Sequence, residues 1–134
     1  MTTIARNSLA IGVGLTGSLA ILAAHQYLSH TPLPDRGEYF LSHLLIQNYT
    51  GLTEALLLFL AAAICFTTGA NCIAVASSMV VVLPAVAVYE GTVYPASHNL
   101  IGIKFVIHAI YGLPPLVGAW LGVYGFKQRH KRSI

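Results

Sequence analysis

Four long apolar segments constrain the fold of this chain more than any other feature of its sequence. They run from about residue 8 to 28, 39 to 66, 72 to 89 and 100 to 126. About 20 mainly apolar residues suffice for an α-helix to cross a bilayer, and backbone groups in lipid must find their hydrogen bonds within the protein. The sequence therefore predicts one domain, residues 1–134, folded as an all-α integral membrane bundle of four transmembrane helices.

The composition supports the same interpretation. The chain is 56% hydrophobic and 8% charged, and its mean hydropathy is +0.72. Soluble domains contain about 25% charged residues, so a water-facing surface could not be built from so few. The lipid bilayer is therefore an expected partner of this multi-pass protein. Its two cysteines define neither a disulfide framework nor a zinc site, and no metal site is predicted.

Basic residues predict the orientation in the membrane. The tail 127–134 is rich in lysine and arginine, and Arg6 precedes the first apolar segment. Because positive residues favour the cytoplasmic side, both termini are predicted to be cytoplasmic, and the tail needs no nucleic-acid partner to explain it. Residues 131–134 are similar to a dibasic retrieval signal, which predicts the endoplasmic reticulum for a eukaryotic source. For a bacterial source we expect the inner membrane.

The second apolar segment carries polar residues at helical spacing. If the segment is one helix, His43, Gln47 and Glu54 share one of its faces. Glu54 would then lie about 20 Å along the helix axis, near the centre of a hydrocarbon layer of about 30 Å. An ionisable side chain at that depth is a functional-site hypothesis. The structural alternative is that Glu54 pairs with Lys104 or His108 and holds the bundle together.

Further polar residues fall at the same predicted end of the bundle. They are Lys104, His108 and Tyr111 in the fourth segment, and Glu90, Tyr94 and His98 shortly before it. Their clustering predicts a polar cavity that opens to the external side. Each also has a simpler interpretation, since a single membrane histidine is commonly a packing residue and Lys104 could extend its charge to the interface.

This set of residues suits acid/base chemistry on a hydrophobic small molecule. Carboxylates and imidazoles that are removed from water can be poised as general acids or bases, which suits isomerisation, epoxide opening or cyclisation of a lipophilic substrate. No cofactor is expected for such a reaction. The predicted catalytic residues are Glu54, His108 and Glu90, and the predicted substrate-binding residues are His43, Gln47, Lys104, Tyr111, Tyr94 and His98.

A haem- or metal-binding membrane subunit is a competing hypothesis. His43 and His108 are predicted on different helices and could face each other across the bundle as axial ligands. Nothing in the spacing of the sequence fixes the distance between them, and no single helix carries paired histidines.

The run Gly51-Leu52-Thr53-Glu54, followed by an apolar segment, a turn at Gly69 and another apolar segment, resembles the DoxX-like superfamily. These are small four-helix membrane proteins whose second helix often carries a G-x-x-E signature. The resemblance implies that Glu54 is the helix-two carboxylate of that family. It also supports an alternative function, a non-catalytic accessory or chaperone subunit with a membrane partner or a second copy of the chain. Small residues in the first segment, from Gly12 to Ser18, suit such close helix contact.

Overall fold

The computed structural model describes residues 2–37, 39–94 and 101–131, and every regular element among them is an α-helix. The helices are α1 (Thr3–Leu28), α2 (Phe40–Ile46), α3 (Gly51–Thr68), α4 (Cys72–Val80), α5 (Val82–Val93), α6 (Ile101–Tyr111) and α7 (Leu113–Lys131). The all-α prediction is confirmed over these residues.

Three of the described helices are long and apolar enough to cross a membrane: α1, α3 and the 30-residue stretch Gly102–Lys131, which includes most of α6 and all of α7. The pair α4 and α5 meets the same criteria together but is bent by 45°. The number of candidate spans is therefore three, or four if the bent pair crosses as one. These apolar helices are compatible with an integral membrane protein.

The predicted helix 39–66 is wrong, because the structure divides it into α2 and α3. Thr50 has an extended backbone and caps α3: its hydroxyl accepts from the backbone N–H of Thr53, and the Thr53 hydroxyl accepts from the backbone N–H of Thr50 at 2.8 Å. This reciprocal capping box satisfies backbone donors at a helix start. The chain therefore begins a new helix at Gly51 instead of continuing the old one.

Prolines lie in the first turns of two helices, where a missing N–H costs least. Pro84 is the third residue of α5 and cannot donate to the Val80 carbonyl, and the bend between α4 and α5 lies at Val81. The pair Pro114 and Pro115 follows Gly112 in the first turn of α7.

Both of the last two predicted segments extend beyond their predicted ends. Helix α5 reaches Val93, and α7 continues through Lys127 and Arg129 to Lys131. Most of the predicted basic tail is therefore helical and exposed as far as Lys131, and residues 132–134 lie outside the described part of the chain.

Helix α3 lies at the centre of the molecule and packs most extensively against α7. Two glycines of α7 permit this approach, since a Cβ atom at Gly118 would lie 2.0 Å from the Leu58 carbonyl oxygen and one at Gly122 2.3 Å from that of Ala62. Small residues four apart are a common device for close helix packing in membranes. The α7 glycines therefore set the distance between the two helices.

The small residues of α1 are used within the chain. A Cβ at Gly14 would lie 2.6 Å from the Ser78 hydroxyl of α4, and one at Gly17 would lie 2.7 Å from the Leu60 side chain of α3. Gly12 has nothing within 4 Å of the same position. The predicted contact face of the first helix is thus mostly occupied by α3 and α4.

Candidate functional site

A buried ion pair joins three helices at one end of the bundle. Glu90, in the last turn of α5, is 1% exposed, and its Oε2 lies 3.2 Å from Nζ of Lys104 near the start of α6. The backbone N–H of Ser42 in α2 donates to Oε1 at 2.9 Å, and the Ser42 hydroxyl donates to Oε2. The carboxylate therefore has a charge partner and two hydrogen-bond donors, which is what a buried charge needs.

Lys104 makes a second contact that fixes its position. Its Nζ lies 4.4 Å from the centre of the Tyr39 ring, a cation–π distance. Among the described residues the only ion pair is the one between Lys104 and Glu90, so the predicted pairing of Glu54 with Lys104 or His108 is not what the structure has. The sequence identified Glu90 and Lys104, but not Ser42 or Tyr39, which carry no charge and stand out by no spacing.

His108 lies one turn after Lys104 on α6 and is buried, with 5% of its surface exposed. Its ring contacts the Phe105 ring in an edge arrangement, and its Nδ1 has no hydrogen-bond partner among the described residues. The imidazole lines a cavity of about 280 Å³, the His108 cavity, whose other lining residues are Ser77, Val80, Val81, Pro84, Phe105 and Ala109. A buried nitrogen without a partner costs free energy unless a ligand or water satisfies it.

Glu54 lies elsewhere than the sequence predicts. It is half-buried in the first turn of α3, about 5 Å along the axis from Gly51 at 1.5 Å per residue, so the predicted position at the centre of a span is wrong. The helix dipole favours a carboxylate at this end of a helix. The Glu54 carboxylate makes no hydrogen bond or ion pair within the described ranges.

Two tyrosines lie beside this end of α3. The rings of Tyr49 and Tyr111 pack with centroids 4.8 Å apart, and the Tyr49 hydroxyl is buried with no hydrogen-bond partner in the described structure. Burial raises the pKa of the Tyr49 phenol to about 12, with smaller contributions in the same direction from Tyr111 and Glu54. The predicted residue Tyr111 is therefore in contact with Tyr49, a residue that the sequence did not single out.

The remaining predicted substrate-binding residues are dispersed. His43 is exposed on α2 and contacts the Tyr39 ring. Tyr94 follows α5 and lines a cavity of about 530 Å³ with Arg36, Gly37 and Phe40. His98 lies outside the described residues. None of the described contacts joins His43 to His108, as the haem hypothesis would require, and no three His, Cys, Asp or Glu side chains of residues 2–37, 39–94 and 101–131 converge.

Gln47 belongs to a separate group of polar side chains between α1 and the α2–α3 break. Its amide donates to Gln26 Oε1 at 3.0 Å, and the Asn48 amide donates to the same oxygen at 2.7 Å. The His25 ring contacts Asn48 Oδ1 at 2.9 Å through Nδ1 and the Thr50 hydroxyl at 3.3 Å through Nε2. This group, which we name the amide cluster (His25, Gln26, Gln47, Asn48 and Thr50), ties the end of α1 to the start of α3.

The fold and its buried polar groups define an all-helical protein with three or four candidate membrane-spanning helices. Comparison of the chain with protein-family models, with curated proteins and with solved structures gives no match.

Proposed function

We propose that the chain is a four-span integral-membrane enzyme, with both termini in the cytoplasm, that performs acid/base chemistry on a lipophilic small molecule. The observation that carries the proposal is His108, a buried residue that lines a cavity and whose Nδ1 has no hydrogen-bond partner in the part of the chain that the structure describes. The exposed basic residues at the end of α7 support the cytoplasmic assignment.

His108 has the chemistry that this role requires. An imidazole nitrogen accepts a proton when the ring is neutral and donates one when the ring is charged. General acid/base catalysis also needs the reacting proton within hydrogen-bond reach of the catalytic group. A ligand in the 280 Å³ cavity would lie against His108, and the apolar side chains of Val80, Val81 and Phe105 would hold an apolar molecule there. Since ligand pockets commonly measure about 300 to 1,000 Å³, the substrate, or the part of it that reacts, is small.

The buried ion pair has a positioning role in this proposal. Lys104 precedes His108 by one helical turn, so its bond to Glu90 fixes the rotation and depth of α6 and with it the direction of the imidazole. The two groups are bonded to each other, and neither is among the residues that line the His108 cavity. Glu90 is therefore assigned to the support of the site and not to the reaction.

Glu54 remains the predicted carboxylate of the DoxX-like resemblance, but it lines no wall of the His108 cavity. The proposal accordingly makes His108 the principal acid/base group. The alternative of an accessory subunit has less support, because the small-residue face of α1 that suggested it is mostly filled by α3 and α4.

Isotope transfer from water tests the proposed activity without a known substrate. The purified chain would be placed in lipid nanodiscs with a membrane lipid extract, in water that carries both deuterium and ¹⁸O. Proton transfer to carbon leaves carbon-bound deuterium, and opening of an epoxide by water leaves ¹⁸O, so mass spectrometry distinguishes the reactions. We expect a labelled lipophilic product with the wild type, formed at least about 100-fold more slowly by H108Q.

The matched control is H43Q, which removes an exposed imidazole that lies outside the cavity. It should form the product at the wild-type rate, and the melting temperatures of both variants should show that they are folded. If the wild type forms no labelled product, or if H108Q forms it at an unchanged rate, the proposed function is wrong.

A further inference from the structure

A second and larger cavity lies between α1 and α2, away from His108. We name it the α1–α2 groove; its volume is about 650 Å³, and its lining residues are Leu19, Leu22, Ala23, Gln26, Tyr27, His30, Thr31, Leu44, Leu45 and Asn48. Leucine and alanine side chains form much of its lining, and Gln26, Tyr27, His30, Thr31 and Asn48 form a polar end. The volume falls within the range of small-molecule sites.

Gln26 presents one unused donor at the polar end of the groove. Its Nε2 donates to the Thr31 carbonyl at 2.6 Å, and because a carbonyl can only accept, this bond fixes the orientation of the amide. Its Oε1 already accepts from both Gln47 and Asn48. A side-chain amide has two N–H groups and one oxygen with two lone pairs. Within residues 2–37, 39–94 and 101–131, one N–H of Gln26 therefore remains without an acceptor.

Asn48 presents the complementary acceptor. Its Nδ2 donates to the Leu44 carbonyl at 2.8 Å and to Gln26 Oε1 at 2.7 Å, which uses both of its hydrogens and fixes the orientation of its amide. Its Oδ1 accepts from His25 at 2.9 Å, and among the described residues its second lone pair has no donor. Asn48 is 3% exposed, so the free lone pair belongs to a residue held rigidly inside the protein.

A donor beside an acceptor matches a hydroxyl group, which can accept from Gln26 and donate to Asn48 at the same time. A carboxylate or phosphate has only acceptors and would leave Asn48 Oδ1 opposite another oxygen. The described lining residues of the groove include no lysine or arginine that could compensate an anion, and among them only the exposed His30 can carry a positive charge. Burial of an unpaired charge is costly, so the polar end favours an uncharged ligand.

We propose that the α1–α2 groove binds a single-chain lipid whose head is an uncharged hydroxyl. The apolar chain lies along Leu19, Leu22 and Leu45, and the hydroxyl bridges Gln26 and Asn48. Helix α1 is a candidate membrane span, which gives such a molecule a route into the groove from the bilayer. This site is separate from the His108 cavity and does not depend on the proposed reaction.

Three probes with the same eighteen-carbon chain test the head-group chemistry. Oleyl alcohol both donates and accepts, methyl oleate only accepts, and oleate is an anion. Binding to the purified full-length chain in detergent would be measured by native mass spectrometry at increasing probe concentration. We expect oleyl alcohol to bind about tenfold more tightly than either of the others, the effect of about one hydrogen bond.

A steric variant tests the location. A23F fills the groove from α1, and the matched control A24F adds the same ring at an exposed neighbour that does not line it. We expect A23F to lose at least tenfold in affinity for oleyl alcohol and A24F to retain the wild-type value, with melting temperatures showing that both variants are folded. Equal affinity of the wild type for the three probes, undetectable binding of oleyl alcohol, or wild-type affinity in A23F would each overturn the proposal.

Discussion

Glu90 and Lys104, fourteen residues apart in the chain, form an ion pair that connects the end of α5 to the start of α6. Ser42 of α2 donates two hydrogen bonds to the same carboxylate, so one buried side chain organises three helices. Loss of either Glu90 or Lys104 would leave the other charged group buried without a partner, which strongly destabilises a folded protein.

We therefore predict that K104M is strongly destabilised, by about 3 to 5 kcal/mol in the free energy of unfolding, because it leaves the Glu90 carboxylate uncompensated. Denaturant unfolding in detergent, followed by circular dichroism, measures this. The double variant E90Q/K104M should recover part of the loss, since it buries no charge. K127M, at an exposed position of α7, should unfold like the wild type. A loss below 1 kcal/mol in K104M would contradict the assigned role of the pair.

Alanine substitutions at two helix glycines, Gly118 in α7 and Gly12 in α1, should change the stability in opposite directions. G118A directs a methyl group at the Leu58 carbonyl, 2.0 Å from its oxygen, and should cost about 1 to 3 kcal/mol of stability through overpacking. G12A adds the same methyl group to α1 where nothing lies within 4 Å, and should stabilise the protein by up to about 1 kcal/mol through helix propensity. Thermal unfolding of the two variants under identical conditions decides this. A loss in G12A as large as that in G118A would refute the proposed close contact.

The capping box at the start of α3 should contribute measurably to the free energy of unfolding. T50A removes the hydroxyl that accepts from Thr53 and contacts His25, and we expect a loss of about 0.5 to 2 kcal/mol. The control T16A, in the middle of α1, removes an exposed hydroxyl that bonds only to carbonyls of its own helix. This variant should have nearly the wild-type stability. The melting temperatures of T50A and T16A give the comparison, and equal values would argue against the cap.

Tyr49 makes stability dependent on alkaline pH. Its phenol has a pKa raised from 10.0 to about 12 in the folded protein, so it stays neutral there while it ionises in the unfolded chain. Its contribution to stability is therefore complete below pH 10 and is lost as the pH rises through 12, by about 3 kcal/mol in total. Absorbance at 295 nm should show one tyrosine that titrates late, absent in Y49F and still present in Y27F, whose side chain is exposed. Persistence of the late transition in Y49F would disprove the assignment.

The helical class of the chain could be predicted from the sequence because hydropathy and length decide it. The break between α2 and α3, where the structure has the Thr50–Thr53 capping box, was not predicted. The apolar residues on both sides gave a nearly continuous pattern, and a local capping signal is weak beside such a run. The depth of Glu54 was inferred from one continuous helix, and that inference is wrong because the helix is divided.

The polar groups of the candidate site could be predicted as a set but not as pairs. Glu90, Lys104 and His108 were identified because ionisable residues are rare in this chain. Their partners depend on the rotation of each helix, which helical spacing alone does not determine. Ser42 and Gln26 are uncharged, and nothing in the sequence separates them from residues that only face solvent or lipid.

The close contact of α3 with α7 also has a consequence for biosynthesis. Since α4, α5 and α6 are made between the two helices, the face of α3 that carries Leu58 and Ala62 cannot pack against α7 until the chain has been made beyond Leu113. A chain arrested before Leu113 would leave that face of α3 uncovered. The synthesis of α7 therefore completes this contact.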